Sequence, residues 1–120
     1  MSNLSKIQLL DGETKIDTWD LYYIMPSGEK FLGTLMVTTK RIFFDAKSEG
    51  SVGGFLASTS PFAPNSLGVH EISKDRIKSV TAEKSLFSKK AVVTLDNGEI
   101  HKFDRGAMSA DKVIDAINKK

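Results

Sequence analysis

His70 and His101 are the chain's two imidazoles. Nucleophilic catalysis needs a base beside a nucleophile, and a third group to orient that base. Both histidines fall in stretches that read as strands, and no Gly-x-Ser-x-Gly elbow accompanies them. A metal centre is no better supplied: the chain has no cysteine, no His-Glu-x-x-His and no carboxylates at calcium-loop spacing. Asp96-x-Gly98 by itself signals a turn. Gly50-Ser51-Val52-Gly53-Gly54 has the glycine density of a phosphate loop, but no Lys-Ser/Thr follows and no helix opens there. Neither catalysis nor a cofactor is expected.

The remaining candidates are contact residues. Lys40 and Arg41 form a basic corner between two apolar runs in GTLMVTTKRIFFD. The corner reads either as a surface turn, with the stem of Arg41 lying along a sheet, or as a binding contact. Phe55, Leu56 and Phe62 sit with Val52 in a segment rich in Gly, Ser and Pro. They either fold back over an edge or face a ligand or partner. In KSLFSKK, Leu86 and Phe87 stand between Lys84 and the pair Lys89 and Lys90. That is either a solvated hairpin or an apolar tip suited to an anionic surface, where each nearby cation is worth ~1 kcal/mol.

Period-two patterns of apolar residues place strands at about 16–25, 30–38, 41–46, 67–72, 76–83, 91–95 and 100–103. In the first, Leu21, Tyr23 and Met25 share one face, and Tyr22 and Ile24 the other. Apolar residues on both faces predict that this strand is covered on both sides for part of its length. Residues 1–14 form a lead-in, and 47–66 a long loop without periodicity. The spacing of Ile77 and Val80 does not alternate, so a turn or bulge is expected near Lys78-Ser79. Asn97-Gly98 marks the clearest hairpin, since both residues tolerate positive φ. Ala110, Val113, Ile114 and Ile117 then share one stripe of a helix over about 109–119, with Ser109 as N-cap and Lys119-Lys120 near the C-terminal end of the dipole.

The bulk properties agree with one domain over 1–120. Seventeen basic residues against fifteen acidic leave +2. That is too balanced for a nucleic-acid binder. The start of the chain lacks the pattern of a signal peptide, and no apolar run reaches the ~20 residues of a spanning helix. Absence of cysteine fits a reducing compartment, so a cytoplasmic location is expected, with room for peripheral attachment to a membrane.

Seven strands followed by a helix, together with GTLMVTTKRIFFD, EISKDRIKSV and LDNGEIHKFD, resemble the GRAM-type members of the pleckstrin-homology-like superfamily over about 13–120. Thr39 stands where the family pattern often carries Asn. The resemblance implies a seven-stranded antiparallel barrel of two near-orthogonal sheets, capped by the helix. It implies a non-catalytic binding module, with weak peripheral association with anionic membrane lipid as the leading reading. The alternative is protein–protein interaction through a sheet edge or the 47–66 loop. A third reading is a small enzyme or ligand carrier of similar barrel type, such as a lipocalin-like fold, which a packed interior would argue against. Relatives that grip polyphosphate headgroups carry several cations around the first turn. Here that turn is MPSGEK, and the last hairpin turn, 96–99, is acidic. Stereospecific headgroup binding at that rim is therefore not expected.

Overall fold

The structure is a computed structural model, and it describes residues 3–47 and 60–119. Among the described residues, eight strands make one antiparallel sheet. They are β1 (Lys15–Ile24), β2 (Lys30–Thr38), β3 (Arg41–Ala46), β4 (Ala63–Pro64), β5 (His70–Ser73), β6 (Ile77–Lys84), β7 (Lys89–Leu95) and β8 (Ile100–Asp104). One α-helix among these residues, α1 (Asp111–Asn118), follows. The spatial order is β4-β5-β3-β2-β1-β8-β7-β6. The expected seven strands become eight because two residues of the 47–66 segment, Ala63 and Pro64, pair with Glu71 and His70. The sheet is open: among the described residues, β4 and β6 are its edges.

The first strand and the last meet in the middle. Tyr22, Tyr23 and Ile24 of β1 pair with Asp104, Phe103 and Lys102 of β8. The sheet curls about this seam, so that Leu21, Tyr23, Leu35, Val37, Phe44, Val93, Leu95 and Phe103 share one core. Helix α1 packs onto β6, β2 and β7, burying Ala110, Val113, Ala116 and Ile117 while leaving Ile114 half-buried. The deepest position of the stripe is thus Val113. Ala110 occupies the N-cap, but the hydroxyl of Ser109 still accepts from the Asp111 N–H. A cation does serve the helix C-terminus, but it is remote in sequence. Lys74 Nζ donates to the carbonyls of Ala116 (2.8 Å) and Lys119 (2.6 Å). Lys120 lies outside the described residues.

Two turns show how local chemistry sets register. Met25 N–H bonds to the Glu29 carbonyl, and Gly28 N–H to that of Met25. Leu95, Gly98 and Glu99 repeat the pattern. Each is a three-residue loop in which only the glycine takes positive φ, 96° at Gly28 and 91° at Gly98. The Asn-Gly signal therefore marks a hairpin, but Asn97 keeps a negative φ. The bulge in β6 falls where expected, with the register slipping between Ile77 and Ser79.

Double coverage falls on a different strand from the one expected. On β1, Tyr22 stays largely exposed and Ile24 half-exposed on the outer face. On β2 and β3, Met36 and Phe43 point away from the main core into a second one with Leu4 and Val69. The lead-in supplies this cover: Asn3 donates its N–H to Asp45 and its side-chain amide to the Leu67 carbonyl.

Gly33 tests the packing of the sheet's bend. A Cβ there would lie 2.4 Å from the Asp45 carbonyl and 2.9 Å from Ala46 Cα. These are backbone atoms that cannot swing aside. Gly33→Ala is expected to destabilise the fold by about 2 kcal/mol, as overpacking does. A lowered urea midpoint checks this.

Candidate functional site

Both histidines are interior. Tyr23 Oη lies 2.6 Å from His101 Nδ1, and His101 Nε2 lies 2.9 Å from Glu99 Oε1. The same Glu99 oxygen accepts from Ser60 Oγ at 2.7 Å. An ionised Glu99 can only accept, so His101 donates through Nε2 and receives the Tyr23 hydroxyl at Nδ1. Burial pushes His70 down to about 4 and lowers His101, which keeps both neutral. Burial also raises Tyr23. Phe62 sits in this cluster, 5.3 Å from His70, 5.4 Å from His101 and 5.4 Å from Tyr23, centroid to centroid. Phe62 is therefore a core residue and leaves the set of contact candidates. Its place at the end of a polar loop hid this. Among the described residues, these rings pack against one another in the interior.

The basic corner is also spoken for. Arg41 donates through Nε and Nη2 to the two oxygens of Glu13 (2.9 and 2.6 Å), and through Nη1 to Glu71 (3.0 Å). Nη2 also reaches the Gln8 carbonyl. Glu13 is fully shielded and takes the Thr38 hydroxyl as well. The Arg41 guanidinium holds the Glu13 carboxyl down, from 4.5 to about 2. Lys40 Nζ bonds to the Asp11 carbonyl. Arg41 and Lys40 thus fasten the lead-in to the sheet. As a contact candidate, Arg41 is corrected to a structural residue, because its charge is neutralised where it stands. The missed partner, Glu13, lay in a stretch without periodicity.

The third candidate set stays at the surface. Ser85 and Ser88 pair across the β6–β7 turn, and their hydroxyls lie 2.9 Å apart. Leu86 and Phe87 occupy the two apex positions, each 82% exposed. Tight hairpin turns favour Gly, Asn or Asp there; this one places instead the two most exposed large apolar side chains among the described residues. Lys84 pairs across the hairpin with Lys89, and Lys90 with Glu83, whose carboxylate lies 3.4 Å from Lys90 Nζ and 3.0 Å from Lys102 Nζ.

Beside this apex runs a groove of about 560 Å³. Its floor follows from the register. Leu32, Tyr22, Asp104 and Lys90 are successive cross-strand partners over β2, β1, β8 and β7. Phe87 forms a wall, and Lys30 and Arg105 stand at the rim. Lys30 Nζ lies 4.7 Å over the Tyr22 ring and 3.3 Å from Asp104. The apolar outer face of β1, expected to be covered, is this floor.

The candidates do not converge. The apex and the Asp96–Gly98 turn cap opposite ends of the seven residues of β7, a separation of about 20 Å. Ser60, which borders the long loop, bonds to Glu99 at the acidic end. Phe55 and Leu56 lie outside the described residues. Among the described residues there is no cluster of three metal-ligating side chains, and no helix is long and apolar enough to cross a membrane.

No sequence family matches the chain, and no curated protein matches it. A solved structure, the C-terminal domain of an unknown protein from Leishmania infantum, is similar in fold. It aligns with a TM-score of 0.59 at 15% identity, over 86% of this chain and 80% of that one.

The Glu13–Arg41 pair has a pH signature. Glu13 is depressed in the fold, so its contribution is present above the unfolded value and lost as pH falls towards 2. A drop from 4.5 to about 2 corresponds to about 3 kcal/mol. His70 is also depressed, but it opposes folding in its charged form, so its loss falls between 6.5 and about 4. In denaturant titrations at stepped pH, Glu13→Gln is expected to shrink the decline below pH 4.5, to which the depressed Asp20, Glu83, Asp96 and Glu99 also contribute, and to keep the one above it. Arg41→Met, which strands a buried carboxylate, is expected to cost about 3–5 kcal/mol at pH 7.

Proposed function

We propose that the chain is a pleckstrin-homology-like, GRAM-type binding module with no catalytic role. Its apex would associate weakly and peripherally with anionic membrane lipid. The observation that carries the reading is the pair Leu86-Phe87, each 82% exposed at a hairpin apex whose bases are Lys84, Lys89 and Lys90. Burial of a Leu or Phe side chain is worth ~1.5–3 kcal/mol. Two of them, with cations that add ~1 kcal/mol each near an anionic surface, suffice for reversible binding. The acidic Asp96–Glu99 turn stands at the far end of β7 and does not oppose that approach. For the fold family, support comes from seven longer strands in meander order, a seam between the first and the last, and a helix packed across β2, β6 and β7. On this reading β4 is an addition to the seven strands of the family pattern.

A second reading has its own observation. Among the described residues, strand β6 pairs only with β7, and most of its residues are exposed. Its free edge offers N–H and C=O groups to an added strand of a partner protein. The 47–66 loop, the other element expected to serve such a partner, is largely outside the described residues.

Cosedimentation separates the two. With vesicles containing phosphatidylserine, the wild type is expected to pellet, less so as salt rises. Leu86→Ser/Phe87→Ser is expected to stay in the supernatant with an unchanged melting temperature, because both side chains are already in water. Failure of the wild type to pellet at any salt, with a mass above the monomer in light scattering, would favour the edge-strand reading.

A further inference from the structure

We propose that the β7–β8 turn is a self-modification site, at which Asn97 closes onto the backbone nitrogen of Gly98 and ends as an aspartyl or isoaspartyl residue. The site lies at the end of β7 away from the Leu86-Phe87 apex. Its only co-reactant is water, so it operates whichever partner the apex or the free edge takes.

The sequence singles out the position. Asn97 is the one asparagine followed by glycine; Asn3, Asn65 and Asn118 precede Leu4, Ser66 and Lys119. A side chain on the following residue crowds the attacking nitrogen. At Gly98 that flank is open, since a Cβ there would meet nothing within 4 Å. Both residues are exposed, so ammonia can leave and water can enter. The turn also prepares the electrophile. The Glu99 N–H donates to Asn97 Oδ1 at 3.0 Å. It polarises the side-chain carbonyl and aims a donor at the oxygen on which charge develops as nitrogen adds.

One bond opposes the step. The Gly98 N–H donates to the Leu95 carbonyl at 3.0 Å, and it must be released before its nitrogen attacks. Releasing one such bond slows the reaction about tenfold, or ~1.4 kcal/mol. Asn65 supplies the contrast within the same molecule. Its Oδ1 also accepts backbone N–H groups, from Leu67 and Val69. Its amide, however, is held by Glu71, it is half-buried, and Ser66 follows it.

The atoms balance with water alone. The Gly98 nitrogen gives its proton to solvent and bonds to Asn97 Cγ. The Cγ–Nδ2 bond breaks, and Nδ2 departs as ammonia. Water then opens the cyclic imide at one carbonyl or the other. One opening leaves an ordinary aspartate. The other routes the main chain through Cβ and Cγ of residue 97 and lengthens the loop by a methylene. Leu95 and Glu99 close that loop with a backbone bond of 2.9 Å, and the Glu99 carboxylate anchors both Ser60 and His101. The β-linked form therefore pulls on the acceptor that positions His101 against Tyr23.

The test incubates the protein at mildly alkaline pH, folded and in urea, with peptide mapping that separates α- from β-linked aspartate. In the folded protein Asn97 is expected to convert within about tenfold of its rate in urea, with Asn65 unchanged. Asn97→Gln, whose ring would need one more atom, is expected to abolish the conversion and keep the melting temperature. Asn97→Ser serves if the first variant loses its fold. In the isolated β-linked product the ring signals of His101 and Tyr23 are expected to shift, whereas in Asn97→Asp they stay. An Asn97 that converts more slowly in the fold than that margin would overturn the site. Equal conversion of Asn65 would overturn the role of the glycine turn. Unmoved ring signals in the β-linked product would overturn the coupling to the core.

Discussion

The ring of Tyr23 is the point at which the two wings of the sheet are joined. It packs against Phe44 of β3, His70 of β5, Phe62 before β4, and His101 and Phe103 of β8, all with centroids within 5.7 Å. A curled open sheet has no closing ladder of hydrogen bonds. Its curvature must come from what fills the concave side, and here that filling is aromatic and imidazole rings around one phenol. The phenol brings a polar atom into a dry interior, where an unmade hydrogen bond is costly. The chain from Tyr23 through His101 and Glu99 to Ser60 carries that polarity outward, to a carboxylate that retains some exposure. Chemistry that elsewhere serves catalysis thus satisfies a core.

Much of this architecture is legible in the residues. Among the described residues, every strand of four residues or more overlaps one expected from the sequence, though Ile77 and Val80 of β6 do not alternate. Glycine turns fix the hairpins, and the stripe from Ala110 to Ile117 finds the helix. What escapes is long-range and polar. Nothing local announces that Glu13 belongs with Arg41, because their meeting depends on where the lead-in crosses the sheet. The same holds for Lys74, which serves a helix end more than forty residues away. Phe62 was hidden by its company, since Pro, Ser and Gly around it signal a loop and say nothing about where its ring points. Strand β4 is too short to carry a period at all.

The candidate surface was half legible. Leu86-Phe87 between lysines stands out as a sequence, and the structure leaves those side chains in water. The groove was not legible as a site, although its floor was. Apolar residues lie on both faces of 16–25, but the physical inference, cover on both sides, holds for β2 and β3 instead. The lead-in has one helical turn of apolar residues, Leu4 and Ile7, and covers only the strands it crosses. Among the described residues, none lies as a lid over the outer face of β1.

The seam between β1 and β8 has a kinetic meaning as well. Tyr23 and His101 are 78 residues apart, so their meeting closes a loop of most of the chain. Hairpins with short loops form early, whereas such closures come late and slow the folding of β proteins. The groove straddles that seam, with Tyr22 and Leu32 from the first third of the molecule and Lys90 and Arg105 from the last. A ribosome-bound chain still lacking its final strand can display the Leu86-Phe87 apex but not the groove. Maturation, in this molecule, is the step that brings the two together.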